Sequence, residues 1–259
     1  MSGQILVARD GGIATVTLHN PERLNALSLA MWEQLGAAVR ELDADESLRC
    51  IVLRGAGEKA FAAGADIASF SVERANSAQA KAYGTRIAAS MRFVAECRHP
   101  IVALIQGACV GGGLLVASQC DLRICNESAR FGVPVKNLGL VEAYDELQGM
   151  LNVVSRAAAL EILLEGRIWG ACEAYEKGLV NRVVADVKVV EEAYATAQRI
   201  AEGAPLAARW HKKFIRRLAD PRPLSPEERD ESYACFDTAD FREGVAAFLA
   251  KRKPLFEGK

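Results

Sequence analysis

Two glycine-bearing segments contain the residues whose types and spacing are best suited to chemistry: residues 60–66 (AFAAGAD) and 110–113 (VGGG). Each follows a β-branched apolar run, and their small residues let backbone N–H groups approach a ligand without side chains in the way. Two such loops, brought together, supply two donors to one oxygen, which is an oxyanion hole. No obvious carboxylate stands beside the second loop, so the groups that would move protons are not evident.

Composition limits the classes of protein to which the chain can belong. With 259 residues and 51% hydrophobic content, it can bury a large core and form one large domain with an appendage. A net charge of −1 argues against a nucleic-acid partner. The seven cysteines include no C-x-x-C pair, and Cys120 and Cys125 have no accompanying ligand cluster. We therefore expect reduced thiols and no metal.

The N-terminus has no secretory pattern, and no apolar stretch reaches membrane-spanning length. We therefore expect a soluble, cytoplasmic protein without a membrane partner.

The elements that must position the glycine loops can be predicted from hydrophobic periodicity. Residues 5–18 alternate around a central Asp-Gly-Gly and predict a β-hairpin, and Ser28 is expected to cap the helix that follows. Residues 68–81 suggest an irregular, polar segment. Further strands are predicted at 50–53, 101–105, 122–125 and 129–131, and further helices at 86–96 and from 114.

The order strand, strand, helix recurs through the first two thirds of the chain and predicts an α/β fold, with no Rossmann fingerprint. From about residue 187 the pattern becomes helical and is interrupted by prolines. We therefore divide the chain into a core at residues 1–200 and a C-terminal helical region at residues 201–259.

The glycine loops, taken with several other segments, resemble the crotonase superfamily, the enoyl-CoA hydratase/isomerase family, over essentially the full chain. This resemblance implies a spiral of β-β-α turns with a C-terminal helical region that builds homotrimers, often stacked into hexamers. It also implies an acyl-CoA thioester as the substrate, with coenzyme A as part of that substrate and no separate cofactor. The matching segments are residues 20–27 (NPERLNAL), 59–67, 103–113, 120–121, 129–132, 178–180 and 243–253.

The resemblance also implies roles for individual residues. The backbone N–H groups of Ala65 and Gly112 would be the two oxyanion donors. Phe248 and Lys251 would reach the coenzyme A of a neighbouring subunit. Asp66 lies in the segment that would touch coenzyme A, although a capping role accounts for its position better than direct contact with the substrate. The residues expected to contact coenzyme A within one subunit are Arg23, Leu24, Ala63, Ala65, Asp66 and Ile67.

The chain departs from the family at the two positions where hydratases hold a water between glutamates. Leu115 and Val135 occupy those positions, and neither side chain can take or give a proton. Proton transfer by a placed acid or base typically contributes about 100- to 10,000-fold to the rate. Ordinary water addition is therefore expected to be severely impaired unless another group substitutes.

The nearest substitutes lie in residues 142–146 (EAYDE). In a dienoyl-CoA isomerase branch of the family, an aspartate that moves a proton falls at the position of Ala143. In members similar to methylmalonyl-CoA decarboxylase, a tyrosine falls near Glu142. Glu142 is therefore the first candidate base, followed by Asp145 and Tyr144. Acidic residues in the first turn of a helix are also favoured by its dipole, which requires no catalytic role.

Three hypotheses for the function follow. The first is an enzyme of the hydratase/isomerase class in which Glu142 or Asp145 transfers the proton. The second is a decarboxylase of malonyl-type thioesters, because loss of CO₂ generates the enolate without a strong base. The third is a non-catalytic protein that binds CoA thioesters.

Overall fold

The computed structural model of the chain describes residues 3–259, and two sheets organise this part. The strands, numbered in chain order, are β1 (Gln4–Asp10), β2 (Ile13–His19), β3 (Cys50–Gly55), β4 (Ala60–Ala62), β5 (Ile101–Ile105), β6 (Ala108–Val110), β7 (Leu122–Asn126), β8 (Arg130–Gly132), β9 (Trp169–Gly170) and β10 (Arg182–Val184). The larger sheet has the strand order β1-β2-β3-β5-β7-β10, and the smaller one has the order β4-β6-β8-β9. Only the pairs β1–β2 and β8–β9 are antiparallel among these strands.

Helices alternate with strands as far as β10, and from there to residue 259 the regular elements are all helical. They are α1 (Leu29–Ala44), α2 (Phe70–Glu73), α3 (Ser77–Glu96), α4 (Gly112–Ser118), α5 (Tyr144–Leu151), α6 (Arg156–Glu165), α7 (Ala171–Glu176), α8 (Val189–Ala201), α9 (Pro205–Leu218), α10 (Pro226–Glu231) and α11 (Ala239–Leu249). The α/β class and the helical C-terminal region predicted from the sequence are both confirmed. The domain boundary at residue 200 stays a prediction.

Local sequence signals account for the first elements. β1 and β2 pair through a turn at Gly11, whose φ of +54° suits glycine. The Ser28 side chain accepts a hydrogen bond from the Met31 N–H at 3.3 Å, which caps α1 as expected.

The core follows the alternation of side chains along the parallel strands. Ile51 and Leu53 of β3 point into the main core, which α1 and α3 cover, whereas Cys50 and Val52 face the second cluster beneath α8. All four side chains are buried. At β3 the large sheet therefore buries both of its faces, as parallel sheets do, whereas most residues of the edge strand β1 are exposed.

The prediction of an irregular segment over residues 68–81 is wrong, and α3 begins at Ser77 rather than near Arg86. The Asn76 side chain accepts a hydrogen bond from the Gln79 N–H at 3.0 Å and caps the helix. The alanines that follow Asn76 favour helix strongly, so a helix forms here although the neighbouring residues are polar. This early start brings the first turns of α3 beside the glycine loops, where Tyr83 and Gly84 line a cavity.

None of the helices in residues 3–259 combines the length and the apolar character needed to span a bilayer.

Candidate active site

The smaller sheet explains how the two glycine loops meet. β4 and β6 are parallel neighbours, with Ala60 opposite Ala108 and Ala62 opposite Cys109. The carboxyl ends of parallel strands lie at the same edge of a sheet, so the segments that follow them emerge side by side. One continues through Ala63, Gly64 and Ala65, and the other enters α4 through Gly111.

Hydrogen bonds on either side of Ala65 set the direction of its own N–H. The Leu27 N–H donates to the Gly64 oxygen at 2.8 Å, and the Asp66 N–H donates to the Leu27 oxygen at 3.2 Å. Backbone groups of successive residues alternate in direction along an extended segment. The N–H of Ala65 therefore points away from Leu27 and remains available to a ligand.

Gly112 is the first residue of α4, so its N–H has no acceptor inside the helix. Gly111 turns the chain with a φ of +52°, and its N–H donates to the Gly132 oxygen at 2.8 Å. A Cβ placed on Gly112 would lie 3.7 Å from the Ala65 nitrogen and 3.1 Å from Cζ2 of Trp32. The two N–H groups therefore occupy one small region, and two donors in this arrangement can stabilise a single oxyanion.

Both donors border a cavity of about 360 Å³ between the glycine loops, α3 and the segment that leads into α5. Its apolar lining includes Trp32, Ile87, Leu115 and Val135. Leu115 is 2% exposed and Val135 is half-buried. Leu115 and Val135 thus present hydrocarbon to the cavity. The polar side chains of the lining are Arg74, Tyr83, Glu142 and Glu146.

Glu142, the first candidate base, lies in this lining and is half-buried. Its carboxyl group is hydrogen-bonded to that of Glu146. Burial raises the pKa of Glu142, and the negative charge and hydrogen bond of Glu146 raise it further, to about 8, while the Arg74 charge opposes them. Glu142 is therefore protonated at neutral pH and provides an acid at the cavity wall.

Tyr144 and Asp145 belong to the first turn of α5 but do not line the cavity. Tyr144 is 93% exposed, and Asp145 is exposed as well. Of the three candidates that the sequence placed in this segment, the fold directs Glu142 alone into the cavity of the described chain.

Sequence reasoning did not name three polar residues of the cavity, Arg74, Tyr83 and Glu146, although Glu146 stands in the segment 142–146 that it singled out. Glu146 accepts a hydrogen bond from the Ala143 N–H at 2.6 Å, as glutamates three residues after a helix N-cap often do. That spacing was a readable signal, although it indicates capping rather than catalysis. Arg74 follows the short helix α2, in a segment that the sequence suggested was irregular, and no local pattern pointed to it.

The residues expected to contact coenzyme A within one subunit form a continuous surface beside the cavity. Arg23 and Asp66 form an ion pair, and the Ala63 N–H donates to the Leu24 oxygen at 3.0 Å. Leu24 and Ile67 are both exposed. The turn at residues 23–25 and the loop at residues 63–67 are thus held together by backbone contacts and by one charge pair.

Buried hydrogen bonds of Asn25 fix that turn. Its side chain accepts from the Asn20 N–H at 3.0 Å and donates to the oxygens of Ala56 at 3.0 Å and Ala60 at 2.7 Å. Asn25 has a φ of +57°, a left-handed conformation that asparagine tolerates better than most residues.

Phe248 and Lys251 lie at the end of α11 and do not line the cavity of their own chain. Phe248 is 83% exposed, and Lys251 has a φ of +52°. Their predicted contact with the coenzyme A of a neighbouring subunit stays a prediction.

Within residues 3–259, no group of three or more histidine, cysteine, aspartate or glutamate side chains is placed to hold a metal ion.

Comparisons with known proteins show the family to which the chain belongs. The profile of the enoyl-CoA hydratase/isomerase family matches residues 8–259. A probable enoyl-CoA hydratase of Rhizobium meliloti is 37% identical over 258 residues, covering 98% of this chain and 97% of that protein. The short-chain-enoyl-CoA hydratase of Clostridium acetobutylicum is 30% identical, covering 96% of this chain and 95% of that protein.

A solved structure of an enoyl-CoA hydratase/carnithine racemase from Magnetospirillum magneticum superposes with a TM-score of 0.97 at 53% identity. The match covers 98% of this chain and 96% of that chain. The crotonase-like fold expected from the sequence is thereby confirmed. Over nearly its whole length, this chain belongs to the enoyl-CoA hydratase/isomerase family.

Proposed function

We propose that the protein is an acyl-CoA enzyme that stabilises a thioester enolate with the N–H groups of Ala65 and Gly112 and moves protons through Glu142. The observation that carries this proposal is the adjacency of the two N–H groups at the wall of the cavity that also contains Glu142. Each oxyanion donor is worth about 3 kcal/mol in comparable sites.

Glu142 and Glu146 together supply both an acid and a base. The raised pKa of Glu142 keeps a proton on its carboxyl group at neutral pH, so Glu142 is the acid of the pair. In water addition, the water oxygen bonds to the β carbon while its proton passes to Glu146. The α carbon takes the proton of Glu142, so the thioester carbonyl is regenerated from the enolate. The pair again holds one proton at the end and is ready for another turnover.

Coenzyme A would lie along the surface formed by Arg23, Leu24, Ala63, Asp66 and Ile67. The exposed Phe248 and Lys251 would complete the site of a neighbouring chain, which requires a homotrimer or a hexamer. Support for this arrangement comes from the ion pair of Arg23 with Asp66 and from the exposure of Phe248.

Decarboxylation of a malonyl-type thioester is a second candidate. The observation that favours it is the apolar surface of Leu115 and Val135 in the cavity lining. A dry wall disfavours a substrate carboxylate relative to the delocalised enolate that forms when CO₂ leaves.

The test is turnover of the purified protein with crotonyl-CoA and with methylmalonyl-CoA, followed by mass spectrometry. A gain of one water by crotonyl-CoA that is lost in Glu142→Gln would support the proposal. Loss of CO₂ from methylmalonyl-CoA that persists in Glu142→Gln would favour the decarboxylase instead. Binding of both thioesters without any turnover would refute both candidates in favour of a non-catalytic binder.

A further inference from the structure

Arg74 places a positive charge in the wall of the cavity. Its backbone N–H donates to the Phe70 oxygen at 2.9 Å and ends the short helix α2. The guanidinium carbon lies 3.8 Å from the centre of the Tyr83 ring and 4.2 Å from that of Phe70. Stacking against rings uses the faces of the guanidinium, whereas its N–H donors lie at its edges. The side chain is therefore held in place while part of its donor capacity stays open.

Arg74 forms no close ion pair, although its charge acts on Glu142 from a greater distance. No carboxylate oxygen of residues 3–259 lies within 4.0 Å of its nitrogens, and its Nε is buried without a hydrogen-bond partner. Burial raises the pKa of Tyr83, so the hydroxyl of the ring beside the guanidinium stays neutral and does not balance its charge.

Glu142 and Glu146 line the same cavity, but their carboxyl groups bond to each other, and Glu146 also accepts from the Ala143 N–H. Arg74 is half-buried, and its Nε is withdrawn from water without a partner, which costs free energy that an anion in the cavity would offset.

We propose that the acyl group of the substrate carries a carboxylate and that Arg74 binds it. A carboxylate matches the fork of an arginine through two parallel N–H···O bonds. An acyl chain ending in a methyl group would fill the same space and leave Arg74 unpaired. The proposal rests on the proposed function, since it takes the cavity beside the Ala65 and Gly112 donors as the place of the acyl group.

Binding of saturated thioesters tests the proposal without requiring catalysis, because neither water addition nor double-bond migration can occur on them. Isothermal titration calorimetry would compare glutaryl-CoA with pentanoyl-CoA, in which a carboxylate replaces a methyl group on five-carbon acyl chains. Adipoyl-CoA and hexanoyl-CoA repeat the comparison at six carbons. We expect the carboxylated thioester to bind about 10- to 100-fold more tightly at one of the two lengths, the range of a charge-assisted hydrogen bond. Equal or weaker binding of the carboxylated member at both lengths would overturn the proposal.

Arg74→Met removes the charge and keeps a side chain able to pack against Tyr83 and Phe70. In this variant the preference for the carboxylated thioester should disappear, while measurable binding of pentanoyl-CoA shows that the site is still folded. Arg92→Met is the matched control, because Arg92 is an exposed residue of α3 outside the cavity lining. Arg92→Met makes the same change in net charge as Arg74→Met, and it should keep the unmodified protein's preference for the carboxylated thioester.

A preference that survives in Arg74→Met would assign the carboxylate to another residue and refute the role of Arg74. If Arg74→Met does not fold, Arg74→Lys, which keeps the charge but loses the planar fork, tests the role of Arg74 by a reduced preference, and the comparison of thioesters in the unmodified protein still decides whether a carboxylated acyl group is preferred. Turnover of crotonyl-CoA is measured separately, so a lack of preference for carboxylates would leave the proposed function standing.

Discussion

Gly112 and Ala65 lie so close together that a Cβ on Gly112 would be 3.7 Å from the backbone nitrogen of Ala65. The two residues follow different strands of the smaller sheet, and the parallel pairing of β4 with β6 brings them together. Their N–H groups border one cavity with the carboxyl pair Glu142 and Glu146. The proposed chemistry depends on this convergence, and each part of it can be tested separately.

Replacing Gly112 by proline removes one of the two proposed donors. Proline is compatible with the first position of a helix, so α4 should survive. We expect kcat to fall about 100- to 1000-fold, as when one oxyanion donor is removed. Gly112→Ala is the matched control, because it retains the N–H and adds a Cβ only 3.1 Å from Cζ2 of Trp32. Equal losses in the two variants, measured by steady-state kinetics, would indicate a steric effect and argue against the donor role.

Glu142→Gln keeps the size of the side chain but abolishes its proton transfer. We expect crotonyl-CoA hydration to fall about 100- to 10,000-fold, the usual contribution of a placed acid or base. Asp145→Asn distinguishes the neighbouring carboxylate, which is exposed and outside the cavity lining, and it should retain most of the activity. If Asp145→Asn proved to be the inactive variant, the assignment of Glu142 would be wrong.

The carboxyl pair makes the rate depend on pH. Burial and Glu146 raise the pKa of Glu142 to about 8, so the pair holds its shared proton at neutral pH and loses it as the pH rises. We expect kcat/KM to fall as the pH rises through about 8. Glu146→Gln removes both the proposed acceptor of the water proton and a group that raises the pKa of Glu142, so it should lower the rate and move the decline of the remaining activity to lower pH. A profile that stays flat from neutral pH to well above 8 would contradict the proposed acid.

The same carboxyl group links stability to pH. The raised pKa means that the folded chain binds a proton that the unfolded chain releases between the ordinary value of 4.5 and about 8. The free energy of unfolding should therefore decrease as the pH rises across that interval, and Glu142→Gln should make this decrease smaller. Urea denaturation at several pH values would measure it. A slope that Glu142→Gln leaves unchanged would rule out this group as its source.

Asn25 supports the turn beside the proposed coenzyme A surface. Asn25→Ala removes the three side-chain hydrogen bonds of Asn25. It also places alanine at a φ of +57°, a left-handed conformation that alanine tolerates less well than asparagine. We expect the free energy of unfolding to fall by about 2–4 kcal/mol. Asn137→Ala, at an exposed turn, should change it by less than about 0.5 kcal/mol. Asn25→Gly relieves the backbone strain, so a better recovery in glycine than in alanine, seen in urea titrations, would confirm that the conformation contributes.

Much of the fold could be predicted from the sequence because its signals are local. The Ser28 cap, the hairpin at Gly11 and the buried strand at Cys50–Gly55 each depend on neighbouring residues. The start of α3 was predicted too late, because the Asn76 cap and the alanines after it lie in a segment whose polar character suggested a loop. Burial of one face is not visible in such a segment until the rest of the fold covers it.

The sequence by itself determined which residues can form the glycine loops, since small residues and the left-handed φ of Gly111 are local requirements. It also showed that Leu115 and Val135 cannot transfer protons. Only the tertiary structure decided that Glu142 faces the cavity while Tyr144 and Asp145 face outward, and that Arg74 and Glu146 approach it from two different segments. The pKa of a carboxyl group and the pairing of a charge depend on burial and on neighbours distant in sequence, and these exist only once the chain has folded.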